Sequence, residues 1–219
     1  MEIAVRIPDI CLGVNVLRGV EVRKGDAKVR RVMDEVLEKV RGRMKLEELK
    51  NDPVVRAYRD FYWRIGIDPT KQRPSGEALV RRALRGNIPS INNVVDAGNL
   101  ASMETLIPIG LYDLDRVKGG LELRYARDGE LFLPIGGKEE KLKSNQIVLA
   151  DSEKVLHVFP HRDSRITMIT ESTRNVLVAA CGVPGVERER VLKACKMAAE
   201  YIKELAGGES GECRIMQGL

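Results

Sequence analysis

The apolar residues of this chain change their repeat near Ile107, and that change sets the fold class. From Asp26 to about Arg41, Val29, Val32, Met33, Val36, Leu37 and Val40 recur at the three-and-four spacing of one helix face. Beyond Ile107 the chain breaks instead into short apolar runs divided by turn residues: IPIGLYDLD, LELRYA, ELFLPIGG, IVLAD, VLHVFP, ITMIT and NVLVAACG. Runs this short suit strands, so at least five strands of an antiparallel sheet or barrel are expected beside the helices. The fold class is α+β.

Local signals bound the helices. Asp26 is placed to cap the first and Gly42 to stop it. A second runs from about Asp52 to Ile65, with Asp52 as cap, Pro53 in the first turn and Gly66 at the end. Ser75 is placed to cap a third, which Gly86-Asn87 terminates, and a last amphipathic helix covers about Glu187 to Leu205. Residues 1 to 7 and 10 to 22 alternate around Pro8-Asp9, which reads as an opening hairpin. No repeat, low-complexity linker or charge boundary divides the 219 residues, so a single unit over 1–219 is expected.

Composition narrows the function classes. No uninterrupted apolar run approaches the roughly 20 residues of a membrane helix, and Met1 to Asp9 does not resemble a signal peptide, so a soluble cytoplasmic protein with no membrane partner is expected. Cys11, Cys181, Cys195 and Cys213 lie far apart without a CxxC pair, which supports neither a zinc site nor a disulfide framework. No metal or other cofactor is expected. Cys181 and Cys195 read as core, since a nucleophilic thiol needs a base or cation beside it that spacing does not identify. The absence of GxSxG, Walker-type, GxGxxG and HExxH patterns argues against nucleotide hydrolysis and zinc proteolysis. The net charge of +5 has a local excess in Arg81, Arg82 and Arg85 beside Lys71 and Arg73. Such a patch suits phosphate contacts, and a solvated helix face explains it equally well.

Two stretches carry candidate site residues. In PSINNVVDAGNLAS, read as a helix, Asn92, Asp96 and Asn99 fall at i, i+4 and i+7, with Asn93 alongside. Asparagine is a poor helix former, so this stripe needs a reason. Either buried polar side chains tie loops and strand ends to the helix, or neutral amides line a pocket for a polar ligand. Asp96 fits a backbone cap or a holder for a ligand's ammonium group. In FPHRDSRIT, His157 shares a face with Val155 and Phe159 and reads as a packed, hydrogen-bonded residue. His161 is the better catalytic candidate, because Arg162 and Asp163 follow it and place a base, a cation and an acid within three residues. The alternative is a local Arg162–Asp163 ion pair beside an exposed histidine.

GIDPTKQRPSGEALVRRALRGNIPSINNVVDAGNLASMETLIPIGLYDLD, followed by DSEKVLHVFPHRDSRITMITESTRNVLVAA, resembles the B3/B4 domain of the phenylalanyl-tRNA synthetase beta chain, and more closely the free-standing proteins made of little else. The likeness covers about residues 55–182. It implies a closed antiparallel β-barrel with flanking helices, and an editing site that hydrolyses tyrosine wrongly attached to tRNA. It further implies that Asn92, Asn93, Asp96, Asn99 and the FPHRDS turn border the pocket, and that Thr173 and Asn175 lie on its wall. Two positions depart from the family: a histidine of bacterial synthetases is replaced by Gly110, and an acidic pocket residue by Ala179.

The expected function is hydrolysis of a mismatched aminoacyl-tRNA in trans, without ligase activity. Asn92, Asn93 and catalytic Asn99 would orient substrate and water, Asp96 would hold the α-ammonium group, and His161 would assist proton transfer. Arg162, Asp163, Thr173 and Asn175 would contact substrate, while Lys71, Arg73, Arg81, Arg82 and Arg85 would meet tRNA. The alternative is a non-catalytic module that binds an amino acid, RNA or a protein through the same pocket.

Overall fold

The computed structural model describes residues 2–218. Its helices are α1 (Ala27–Arg43), α2 (Pro53–Arg64), α3 (Ser75–Leu84), α4 (Asn93–Thr105) and α5 (Arg188–Ala206). The strands are β1 (Ile3–Val5), β2 (Cys11–Arg18), β3 (Ile109–Asp113), β4 (Leu121–Tyr125), β5 (Leu131–Phe132) and β6 (Glu140–Lys141). They continue with β7 (Ile147–Ala150), β8 (Val155–Val158), β9 (Arg162–Asp163), β10 (Asn175–Gly182), β11 (Glu209–Ser210) and β12 (Arg214–Gln217).

The helices form where the apolar period and the caps agree. Asp26 accepts the Lys28 amide at 2.8 Å, and Asp52 accepts those of Val54 and Val55 at 2.8 and 3.3 Å. Such a cap stabilises by about 1 kcal/mol. Burial of Val29, Val32, Met33, Val36 and Val40 on α1 is the larger effect, at roughly 1.5–3 kcal/mol per side chain. Packing of that face therefore decides where α1 lies. At α3 the cap position is Pro74 rather than Ser75, which is the first helical residue. A Cβ on Gly76 would meet the Leu106 carbonyl oxygen at 2.4 Å, so only glycine lets α3 start this close to the end of α4.

Six of the seven apolar runs after Ile107 contain strands; ITMIT instead passes through a 3-10 turn at Arg165–Thr167. One five-stranded sheet has the order β1-β4-β7-β8-β9, the other β11-β2-β10-β3 with β12 also on β2, and β5 pairs with β6 in a two-stranded ribbon. These sheets have free edges and do not close into a barrel. The opening hairpin is also absent: β1 pairs in parallel with β4, Ile3 opposite Leu121, whereas β2 runs antiparallel to β10 over its full length, Cys11 opposite Gly182. Asp9, with φ 63°, lies in the turn between these two strands. The two strands thus bury their alternating apolar residues against partners more than a hundred residues away, where local alternation cannot reveal the pairing.

One core runs through both sheets and all five helices, while a smaller cluster around Phe132 and Val148 lies under the ribbon. Among the described residues, no helix is long and apolar enough to cross a membrane. The end of β8, the β8–β9 turn, the start of β3 and the end of β10 converge beside one face of α4, and this convergence forms the candidate site.

Candidate functional site

Most of the polar stripe on α4 serves the fold. Asn92 is the N-cap and accepts the Val95 amide at 2.9 Å. Buried Asn93 accepts the Arg23 amide at 2.8 Å and donates to the carbonyls of Glu21 and Leu205 at 2.9 and 3.1 Å, which pins α4 to the segment after β2 and to the end of α5. Asp96 is fully buried and accepts from the Ser90 hydroxyl at 2.6 Å and the Ile91 amide at 2.9 Å. Burial raises its carboxyl above the usual range, against the pull of those two hydrogen bonds. None of these three side chains lines the cleft described next.

Asn99 does. With Ser75, Gly110, His157, His161, Asp163 and Cys181 it lines a polar chamber of about 140 Å³. Asn99, Ile109 and Asp163 also form one wall of an adjoining apolar compartment of about 210 Å³, bounded by Ile91, Val95, Leu111, Ile135, Met168 and Ile169. His161 separates the chamber from a third hollow of about 380 Å³, whose lining includes Gln72, Lys143, Gln146 and Arg162. The three spaces suit a ligand with an apolar group, a polar centre and an anionic or polar extension. A hollow of about 340 Å³ on the first sheet is different, because its charges are paired among themselves, Arg124 with Glu130 and Lys154 with Asp151, at 2.7 and 2.6 Å.

The histidine that gathers chemistry is His157. Its Nδ1 lies 2.8 Å from Asp163 Oδ1, and its Nε2 lies 4.0 Å from Cys181 Sγ. A carboxylate accepts, so Nδ1 carries the proton, and in the neutral ring Nε2 keeps a free lone pair. Phe159 and Tyr112 pack edge-on against the ring, each with centroids 6.1 Å away, and hold its plane. The β8–β9 register sets His157 opposite Asp163, each three residues from Pro160. Symmetry of the polar run about that proline was the available sequence signal.

His161 also borders the chamber, but its Nδ1 is buried without a hydrogen-bond partner. Burial, and then the nearby His157 and Arg162 charges, push its pKa down to about 3. It is a neutral ring and a weak proton acceptor. The expected Arg162–Asp163 ion pair does not form. Arg162 binds Glu140 at 2.7 Å and lies 5.4 Å over the Phe132 ring, while Asp163 serves His157.

The remaining candidates lie outside the chamber. Buried Thr173 donates to Asp113 at 2.8 Å, and Asn175 donates to Asp115 at 2.8 and 3.0 Å. Lys71, Arg73, Arg82 and Arg85 are exposed. Arg81 instead joins Arg59 on the fully buried Glu77 carboxylate, with contacts of 2.7 and 2.6 Å, while Arg73 stands 4.0 Å away. Burial pushes the Glu77 carboxyl up, but hydrogen bonds from Arg59 and Arg81 outweigh it and hold the carboxyl below its usual range.

Residues 57–207 match the family described as the B3/4 domain. The chain belongs to the B3/4 domain family. The phenylalanine-tRNA ligase beta subunit of Leifsonia xyli subsp. xyli is 30% identical over 148 residues, covering 68% of this chain and 18% of that subunit. Those of Protochlamydia amoebophila and Aquifex aeolicus are 33% and 32% identical over 113 and 117 residues, covering 51% and 53% of this chain and 14% and 15% of theirs. The chain spans less than a fifth of the length of these relatives. A solved N-terminal fragment of the phenylalanyl-tRNA synthetase beta subunit from Pyrococcus horikoshii superposes with a TM-score of 0.48 at 18% identity, covering 96% of this chain and 50% of that one.

Within this B3/4 domain, Gly110 and Ala179 are direct cross-strand partners on β3 and β10. A Cβ on Gly110 would fall 2.0 Å from the Tyr112 hydroxyl oxygen and 2.6 Å from its ring. Tyr112 is fully buried, so its ring has taken the room that a side chain at position 110 would need. The two departures from the resembling family are therefore neighbours, and Gly110 lines the chamber of His157 and Cys181.

Proposed function

We propose that this B3/4 domain hydrolyses the ester of a mismatched aminoacyl-tRNA, and that the mismatched amino acid is apolar. The observation that carries the reading is the His157–Asp163 pair facing the chamber of Asn99, beside a compartment walled by aliphatic side chains. The family's occurrence in phenylalanine-tRNA ligase beta subunits supports tRNA as the carrier.

In this reading the amino-acid side chain enters the apolar compartment and the ester sits in the chamber. Asp163, shared by both spaces, holds the α-ammonium group with the carboxylate oxygen that His157 does not use. His157 Nε2 is the proton acceptor and Asn99 Nδ2 donates to the developing oxyanion. The 3′ end of the tRNA leaves past His161 toward Lys143 and Arg162, and Lys71, Arg73, Arg82 and Arg85 meet phosphates. An aminoacyl ester is already activated, so positioning supplies much of the remaining catalysis.

One observation favours a second reading, a binding module without turnover: Gly110 and Ala179 leave the family's histidine and acid unreplaced at their own positions. Binding of non-hydrolysable 3′-aminoacylamido-adenosines tests the substrate class. Leucyl and methionyl analogues should bind at least tenfold more tightly than glutamyl and lysyl ones, with the preference lost in Val95→Asp. Equal binding of all four would refute an apolar substrate.

A further inference from the structure

Cys181 has no part in the hydrolysis described above, yet it sits against the base that hydrolysis uses. β10 carries it to the second sheet's edge of the chamber, where its Sγ lies 4.0 Å from His157 Nε2. Among the hydrogen bonds of the described residues, Cys181 Sγ is the partner of Nε2 and the Asp163 carboxylate is on Nδ1, while the resting thiol also reaches the Ala179 carbonyl oxygen at 3.8 Å. Sulfur, imidazole and carboxylate thus stand in the order of a nucleophile, its base and the group that orients the base. A loose nucleophile-to-base distance is ordinary without substrate.

We infer that Cys181, His157 and Asp163 form an acyl-transfer relay in which the Cys181 thiol takes the aminoacyl group as a thioester before water releases it. The inference rests on the ester-hydrolysis reading and adds a covalent intermediate to it. Burial pushes the free thiol well above its ordinary range, so Cys181 is a neutral thiol that must lose its proton to His157 during attack, as a serine does. The proton moves from Sγ to His157 Nε2 as the Sγ–carbonyl carbon bond forms. The ester C–O bond then breaks, and the proton on Nε2 passes to the departing ribose oxygen. In the second half a water gives its proton to Nε2 and attacks the thioester carbon. The C–S bond breaks, Sγ recovers the proton, and the free amino acid leaves. Water is the only co-reactant.

The geometry distinguishes Cys181 from the other thiols. Cys213 accepts from Asn15 at 3.1 Å and Cys11 lies against Gly182; neither lines the chamber. Hydrogen bonds with Cys195 and Asn15 lower the pKa of the partly exposed Cys213 thiol to about 7, so it can be acylated without a base, and the mark of the relay is acylation of Cys181 that depends on His157.

The test uses the full chain and two readouts. The first is intact-mass and peptide-mapping analysis after exposure to leucine thiobenzyl ester, an activated apolar acyl donor that needs no tRNA. With Cys213→Ala as the parent chain, the expected result is one acyl group, on Cys181, removable by hydroxylamine, absent when Cys181→Ala is added and slowed roughly a hundredfold or more when His157→Ala is added. The second is single-turnover deacylation of mischarged tRNA by Cys181→Ala and Cys181→Ser, with thermal melting to confirm folding. Deacylation retained at the wild-type rate in folded Cys181→Ala would overturn the relay and leave direct attack by water intact. Acylation of Cys181 by the thioester together with no deacylation of any tRNA would uphold the relay and refute tRNA as its substrate. No acylation of Cys181 in the folded wild type overturns the relay outright.

Discussion

Asp163 Oδ1 accepts from His157 Nδ1 at 2.8 Å across the β8–β9 pair, and this single bond fixes which nitrogen of His157 faces the chamber. Asp163→Asn can present its amide to Nδ1 and favour the other tautomer, placing the proton on Nε2. Deacylation should fall roughly a hundredfold to ten-thousandfold. The melting temperature should change little, because the Asp163 side chain is 35% exposed. A folded Asp163→Asn variant at full activity would show that His157 is not the base.

Asn93 and Asn99 are separated by less than two turns of α4 and should behave oppositely. Asn93→Ala removes the partner of the Arg23 amide and of two carbonyls, at a cost of about 2–3 kcal/mol. Asn99→Ala should cost under roughly 0.5 kcal/mol but lose transition-state stabilisation worth about 2.7–4 kcal/mol. Denaturant midpoints and single-turnover rates on the two variants separate these outcomes. Equal effects on stability would contradict the division of the stripe into fold and site.

Gly110→Ala should destabilise by about 1–3 kcal/mol, since the new methyl group meets the buried Tyr112 ring. In a chain of this size that lowers the melting temperature by very roughly 2–4 °C per kcal/mol. Gly110→His, which restores the histidine of the resembling family, should not increase activity. A stable, more active Gly110→His variant would show that Tyr112 yields the space freely.

Acid stability reports on His161 and Glu77 separately. The folded pKa of His161, about 3, is below the unfolded value near 6.5, so its contribution is present above pH 6.5 and is lost as pH falls toward 3. Glu77 is also depressed, so its contribution is lost only below its unfolded value near 4.5. His161→Gln should therefore flatten the fall in melting temperature between pH 6.5 and 5, where Glu77→Gln leaves the slope unchanged. Glu77→Gln should lower stability at pH 7 by about 2 kcal/mol, by weakening charged hydrogen bonds at a fully buried carboxylate. An unchanged acid slope in His161→Gln would mean that the ring is not held neutral by burial.

What could be read in the sequence was what is written locally. The first helix, expected at 26–41, occupies Ala27–Arg43, running through Gly42 where a stop was expected, and the last, expected at about 187–205, occupies Arg188–Ala206 without a side-chain N-cap, because the apolar period lies within each segment. Long-range pairing was hidden. β1 joins β4 in parallel, and charged Glu140–Lys141 forms a strand through its backbone pairing with β5 despite lacking an apolar pattern. The site divides in the same way. Asn99 was legible as part of a costly polar stripe, but so were Asn92 and Asp96, which bond locally to Val95 and to Ser90 and Ile91, and Asn93, whose partners at Arg23, Glu21 and Leu205 no local spacing could supply. His157 was read as a packed, hydrogen-bonded residue. That description is correct, and it concealed that one partner is a carboxylate and another neighbour a thiol.

The most direct measurement of the central claim is single-turnover deacylation of tRNAs charged with cognate and near-cognate apolar amino acids, comparing wild type with His157→Ala and Asn99→Ala. The account predicts selective release of one apolar amino acid by the wild type, with loss of roughly a hundredfold or more in each variant. No release across the panel, or release unaffected by both substitutions, would contradict it.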